Sequence, residues 1–278
     1  MAVEAKAQGS RASAVNEVLF KSLSSGLLIF YLLIVLLILL FTARYAGFQG
    51  YLKVLRDPTL YAALKLSLQT STATTILAII VAVPAAYALS RFKIPGIGIL
   101  DTILDLPIVL PPLIMGICLQ IFFSPFNSPI GAFLQDHNIT VVYTWRAIII
   151  AQFMIAAGFT IRCMKATFDS LTPRYEQVAR TLGCSASGAF LKVTLPLAKN
   201  GTIAAAIMTW ARAVGEFGPI IVFAGATAGR TLVLPTAIFL NMQSGDLDMM
   251  AAATMTLVAI AAGALLIFKR LGGRGYIW

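Results

Sequence analysis

The stretch from Arg174 to Pro196 reads RYEQVARTLGCSASGAFLKVTLP and lies between two long apolar runs. Thr172 and Pro173 precede it as a helix-start signal, Thr as N-cap and Pro in the first turn, where its missing N–H costs nothing. A short helix is expected next, with Tyr175, Val178, Ala179 and Leu182 along one stripe. Gly183 can end it in the left-handed conformation. Ser185 or Ser187 can then start a second helix through Ala189, Phe190 and Leu191, ahead of Leu195 and Pro196. The segment predicts a helix–turn–helix on the membrane surface. Small Ala179 and Gly183 would let a partner approach closely, with Glu176 and Arg180 setting its register. The plainer reading is an amphipathic linker at the membrane interface.

The rest of the chain belongs in a bilayer. It is 59% hydrophobic and only 12% charged, with a mean hydropathy of +0.88, outside ordinary globular usage. Runs of about 18 or more apolar residues indicate spans, and six are expected, at 23–41, 60–90, 101–123, 140–164, 196–224 and 247–269. The fold class is therefore all-α and polytopic. A segment 1–22 precedes the first span, a core of five spans fills 60–270 with the loop 172–196 inside it, and 271–278 forms a tail. About twenty polar residues precede the first apolar run, which is longer than a cleavable signal's core, so it is expected to be retained.

Orientation follows from Lys and Arg. Lys6, Arg11 and Lys21 precede span one, Arg91 and Lys93 follow span two, and Arg162, Lys165, Arg174, Arg180 and Lys192 gather between spans four and five. Lys269, Arg270 and Arg274 close the chain. With both termini in the cytoplasm all these clusters face inward, as the positive-inside rule requires. Arg44, Lys53 and Arg56, after span one, go against it. The net charge of +10 is thus spread over membrane-flanking loops. It implies lipid headgroups as partners and no nucleic acid.

No Walker-type GxxxxGK[ST] occurs, and no nucleophile stands beside a base and an orienting carboxylate. No catalytic residue is assigned. His137 is the only histidine, and Cys118, Cys163 and Cys184 lack ligand spacing, so no metal site is assigned either. Energy for any work must come from a partner or an ion gradient.

Two spans carry signals of a pathway. Span three, LDTILDLPIVLPP over 100–112, places Pro107, Pro111 and Pro112 where each removes a backbone hydrogen bond. In lipid that is tolerated where protein or a water-filled cavity satisfies the freed carbonyls. Asp101 and Asp105 are expected to cap its cytoplasmic start. Span five holds WARAVGEFGP, in which Arg212 and Glu216 share a helix face and Phe217, Gly218 and Pro219 break the helix beside them. Charges at membrane depth usually face a bundle interior, so the combination reads as a gate or as a structural pair. The loop AGATAGRTLVLP, 224–235, places small residues around Arg230, where it can re-enter the membrane or meet an external protein. With no second cationic cluster in the spans, substrate affinity is expected to reside in a separate receptor.

Aligned as Q-V-A-x-x-x-G-x(9)-V-x-L-P, the opening stretch resembles the cytoplasmic EAA loop of ABC-importer permeases. Gln177, Val178 and Ala179 hold the E-A-A positions, with Gly183, Val193, Leu195 and Pro196 in register. With 100–112, ARAVGEFGPIIVFAG at 211–225 and TLVLPTAIFL at 231–240, the likeness covers roughly 60–270 and is to the permeases for molybdate, tungstate and sulfate. The G-E-F-G and F-A-G elements are more similar to the molybdate/tungstate type. The resemblance implies the type I ABC-importer permease fold and a homodimer in a prokaryotic inner membrane. Two cytoplasmic ATPase subunits would bind ATP and Mg, leaving this chain without a cofactor, and an external binding protein would deliver substrate. It further implies that Glu176 to Gly183 touch the ATPase. A gradient-driven secondary transporter is the competing class, but no internal repeat relates the halves and the polar loop would go unexplained.

Overall fold

The computed structural model describes the backbone of residues 2–271 and the side chains of residues 16–267. Nearly all of the tail 271–278, and the side chains of Lys6, Arg11, Lys269, Arg270 and Arg274, lie outside the described residues. Every described element is helical. Helix α1 spans Ala2–Arg56 and swallows the expected first span, with one break at Gly47 (φ 58°, ψ 165°). Its apolar length from Asn16 is unburied. Only its last turns pack, where Ala46 and Val54 meet helix α12, Leu247–Leu271, and where a Cβ on Gly50 would lie 3.2 Å from Ala252 Cβ and Asp248 O.

Helix α2, Pro58–Arg91, begins where the Asp57 carboxylate accepts hydrogen bonds from Thr59 N (2.7 Å) and Leu60 N (3.2 Å). Its two faces are sorted by size rather than by hydropathy. Ala63, Ser67, Ser71, Thr74, Ala78, Ala82 and Ala86 face inward, while Ile76, Leu77, Ile80 and Val81 are exposed. In lipid no hydrophobic force separates helices from solvent, so small and hydroxyl side chains make the interface and large apolar ones meet the tails. That inward face packs on α6, Trp145–Ser170, which likewise buries Ala147, Ala151, Gln152, Ala156 and Thr160.

Two expected spans are not continuous. Residues 97–123 form α3, Ile97–Val109, and α4, Pro112–Phe123, bent by 108°. Pro107 sits inside α3 without ending it; the break falls at Pro111, which is extended (φ −53°, ψ 129°). A short α5, Pro129–Asp136, follows. After the polar helices α7, Arg174–Thr181, and α8, Ala186–Leu197, the expected span 196–224 divides. Helix α9, Lys199–Val214, stops at Gly215 and α10, Gly218–Phe223, restarts with Pro219 in its first turn. Helix α11, Leu234–Gln243, precedes α12 and buries Leu234, Thr236 and Ala237. Instead of six continuous spans, four helices among the described residues are long and apolar enough to cross a membrane, or five if the bent pair is one span. Proline chemistry explains both departures, because neither break can complete the i to i−4 ladder.

Candidate functional site

The polar segment folds as two helices, with one difference at its start. Pro173 is already helical (φ −59°, ψ −19°) and Thr172 contributes its backbone carbonyl to Tyr175 N, not a side-chain cap. Gly183 adopts φ 92°, and Cys184 N donates to Ala179 O (3.0 Å), closing the helix C-terminus. Ser185 caps α8 through Oγ, which accepts from Gly188 N (3.1 Å). Along the stripe, Tyr175 (58% exposed), Val178 (57%) and Leu182 (82%) stand free of the bundle. Arg174, Gln177, Arg180, Gly183 and Pro196 are exposed beside them, with Ala179 and Leu195 half-buried.

Glu176 points the other way. Expected to set a partner's register, its carboxylate instead accepts from Tyr87 Oη (2.8 Å) and Arg91 Nε (3.1 Å) at the end of α2. The same Arg91 donates through Nη2 to Phe168 O and Leu171 O (both 2.9 Å) at the end of α6. Tyr87 packs edge-on to Phe168 and lies 4.5 Å, centroid to centroid, from Phe190 of α8. One arginine and one tyrosine thus fasten α7 and α8 to the ends of α2 and α6. Burial alone would raise the Glu176 pKa, but the hydrogen bonds from Tyr87 and Arg91 outweigh it and hold the carboxyl below its ordinary value. The sequence showed Arg91 only as a topology marker, since nothing local connects it to Glu176.

Deeper in the bundle the two proline breaks meet. A Cβ on Gly116 would fall 2.7 Å from Pro219 Cα, and one on Gly218 would lie 3.0 Å from Leu113 N and 3.2 Å from Pro112 Cβ. Pro112, Gly218 and Pro219 are therefore one structural feature, whereas Pro107 stands apart from it in mid-helix. Arg212 and Glu216 do pair, at 3.6 Å, with Arg212 half-exposed and Glu216 buried. Oε2 of Glu216 has no hydrogen-bond partner among the described residues. The Phe217 ring packs against Phe239, centroids 5.0 Å apart and planes tilted by 46°.

Two polar clusters join residues whose pairing no sequence motif announces. Gln152 Nε2 donates to Ala213 O (2.9 Å), the last turn before the break, and its Oε1 accepts from Thr74 Oγ1 (3.1 Å). Arg162, read in the sequence only as a topology residue, grips Asp105 (2.7 and 2.8 Å) and Asp101 (3.0 Å). The two aspartates thus join α3 to α6 rather than capping α3, whose N-cap Gly96 makes no side-chain cap bond. Both clusters satisfy polar groups that lipid could not.

Comparison with known proteins agrees with this architecture. Residues 74–272 match the family of binding-protein-dependent transport system inner membrane components. The sulfate transport system permease protein CysT of Salmonella typhimurium is 32% identical over 252 residues, 89% of this chain and 90% of that one. The molybdate/tungstate transport system permease protein WtpB of Thermococcus kodakarensis is 35% identical over 185 residues, 66% of this chain and 69% of that one. Among solved structures, a bacterial ABC transporter importing the acidic polysaccharide alginate superposes with TM-score 0.68 at 19% identity, covering 81% and 83% of the two chains. The inward-facing MetNI methionine transporter gives TM-score 0.57 at 18% identity, covering 78% and 97%. At such identities the structures report the fold alone. The chain belongs to the binding-protein-dependent inner membrane components: it is the multi-pass permease subunit of an ATP-driven ABC importer, and ATP is hydrolysed on a separate subunit.

Proposed function

We propose that the chain moves a tetrahedral oxyanion, molybdate or tungstate, through a homodimer driven by two cytoplasmic ATPase subunits and fed by an external binding protein. Both termini then lie in the cytoplasm of a prokaryotic cell, and α7 docks in a groove of the ATPase. The observation that carries the docking is the exposed stripe Tyr175, Val178 and Leu182 on a helix fastened from behind by Glu176. Free apolar side chains on a rigid polar helix outside the spans call for a protein partner. Arg174, Gln177, Arg180, Gly183, Leu195 and Pro196 complete the docking face. Motion of the ATPases would pass through Arg91 and Tyr87 into α2 and α6.

The joined breaks at Pro112 and Gly218–Pro219, with Arg212, Glu216 and Phe217, form the gate in this reading. Pro107 and Pro111 line the same pathway. The likeness to a molybdate/tungstate permease supports the substrate class. The likeness to a sulfate permease over nine-tenths of both chains supports sulfate or thiosulfate as the second reading. The test is ATP hydrolysis by the reconstituted complex in liposomes with molybdate, tungstate, sulfate or phosphate. Stimulation by molybdate or tungstate alone is expected; stimulation by sulfate keeps the importer and replaces the substrate. Gly183→Arg, projecting from the docking face, should abolish uptake while the protein still inserts. Normal uptake by that variant defeats the docking assignment.

A further inference from the structure

Arg146 and Arg230, far apart in the chain, line a single open pocket of about 430 Å³ with Thr140, Thr144, Trp145 and Gly229. Among the described residues no carboxylate lines it, and neither arginine forms an ion pair. By contrast, Arg91, Arg162 and Arg212 each have an acidic partner.

Both walls of the pocket are built rather than loose. The Arg146 guanidinium lies 5.6 Å from the Trp145 ring centroid, a cation–π contact that restrains it. Arg230 sits in a compact turn in which Thr227 O accepts from Arg230 N (3.1 Å), Thr231 N (2.9 Å) and Leu232 N (3.0 Å). The buried Thr231 hydroxyl closes that turn by accepting from Thr227 N (3.0 Å). The two walls are joined where Tyr143 N donates to Phe223 O (3.2 Å) and Gly225 packs on the Tyr143 ring.

The pocket's position along α6 matters as much as its lining. Arg146 starts α6 and the coupling helix follows its other end, so the pocket and the ATPase face are separated by about 36 Å at ~1.5 Å per residue. That is a bilayer's thickness, so in the orientation proposed above the pocket lies on the external side. Arginines there oppose the positive-inside bias. A guanidinium fork matches the oxygens of a tetrahedral oxyanion, and two of them with the Thr140 hydroxyl make an acid-free cup of donors, the Thr144 hydroxyl being committed to Val141 O (2.6 Å).

We propose that Arg146 and Arg230 form the permease's external receiving site for the oxyanion as it leaves the binding protein. This rests on the oxyanion-importer reading above. It places in the permease itself an anion-binding station that the spans, read as sequence, lack.

The test uses the complete complex in liposomes with binding protein loaded with molybdate, tungstate or sulfate, comparing wild type with Arg146→Gln, Arg230→Gln, the double variant and the Arg→Lys pair. Maximal uptake should fall about tenfold in the double variant, the loss expected for charge-assisted hydrogen bonds. The half-saturating concentration of binding protein should stay unchanged, and the lysine pair should recover part of the rate. Unchanged uptake overturns the site. So does a rise only in that half-saturating concentration, which would mean that the arginines read acidic groups on the binding protein. A glutamine variant that fails to assemble, beside a lysine pair at full rate and unaltered substrate dependence, also overturns it. A wild-type complex that no oxyanion stimulates removes the substrate reading first, and this site with it.

Discussion

Glu176 and Glu216 occupy similar sequence settings, each in a motif with an arginine four residues away, yet the fold treats them oppositely. Glu176 ignores Arg180 and is satisfied on both oxygens by Tyr87 and Arg91 from another helix. Glu216 keeps its neighbour Arg212 at 3.6 Å and leaves one buried oxygen without a hydrogen bond. A fully bonded carboxylate holds a joint rigid, whereas one with an unmet oxygen is ready to exchange partners. On the docking and gating proposed above, the polar segment would transmit displacement and the proline-broken region would change.

Five measurements put that contrast at risk, in falling order of their expected effect on stability. Gly116→Val should be the worst, because its Cβ would strike the Pro219 backbone at 2.7 Å. Overpacking of that kind costs about 3 kcal/mol, and thermal unfolding in detergent should show it; a neutral result would mean the two breaks are not in contact. Glu176→Ala leaves Arg91 and Tyr87 without their acceptor and should cost about 2 kcal/mol, with reduced co-purification of the ATPase. Gly183→Ala puts a Cβ in open space at φ 92°. The penalty is therefore conformational alone, about 1 kcal/mol, and should show up as faster amide exchange confined to α7.

Acid tests the same joint more gently. The Glu176 pKa is lowered in the folded protein, so its stabilising contribution is complete above the ordinary glutamate value of about 4.3. It is lost only as pH falls through the lower folded value. Amide protection of α7, corrected for intrinsic rates, should be flat from neutral pH to about 5 and should drop below about 4. Protection that declines already between pH 7 and 6 would point to another group. Glu216→Gln should change stability least, within about 1 kcal/mol, since it removes a charge that lacks a full set of partners. Transport should nevertheless slow with the complex intact, and an unaltered rate would demote Glu216 to a packing residue.

Much of the site was legible because short-range chemistry dictates it. Gly183 had to accept a left-handed turn, Ser185 or Ser187 had to cap the second short helix (Ser185 does), and Pro111 and Pro219 had to interrupt their helices. The stripe of Tyr175, Val178 and Leu182 followed from helical spacing. The prolines announced both breaks but not their consequence, since an apolar run reports lipid exposure or burial without reporting direction: 97–123 bends by 108°, and 199–223 becomes two helices. The inward direction of Glu176 was hidden, because helical spacing places Arg180 nearer in sequence than the Arg91 that holds it.

Residue order alone settles that the chain is an all-helical membrane protein, where its prolines interrupt helices, and where a polar helical segment lies between the apolar runs. These follow from side-chain transfer energies, backbone restrictions and capping, all of which act within a few residues. Which distant groups meet is decided by packing in three dimensions. It sets Arg91 against Glu176, Arg162 against Asp101 and Asp105, Gln152 against the break at Ala213, and Arg146 beside Arg230. Such pairings depend on how the small-residue faces of α2 and α6 come together, and packing of that kind leaves no periodic signal that distinguishes one partner from another.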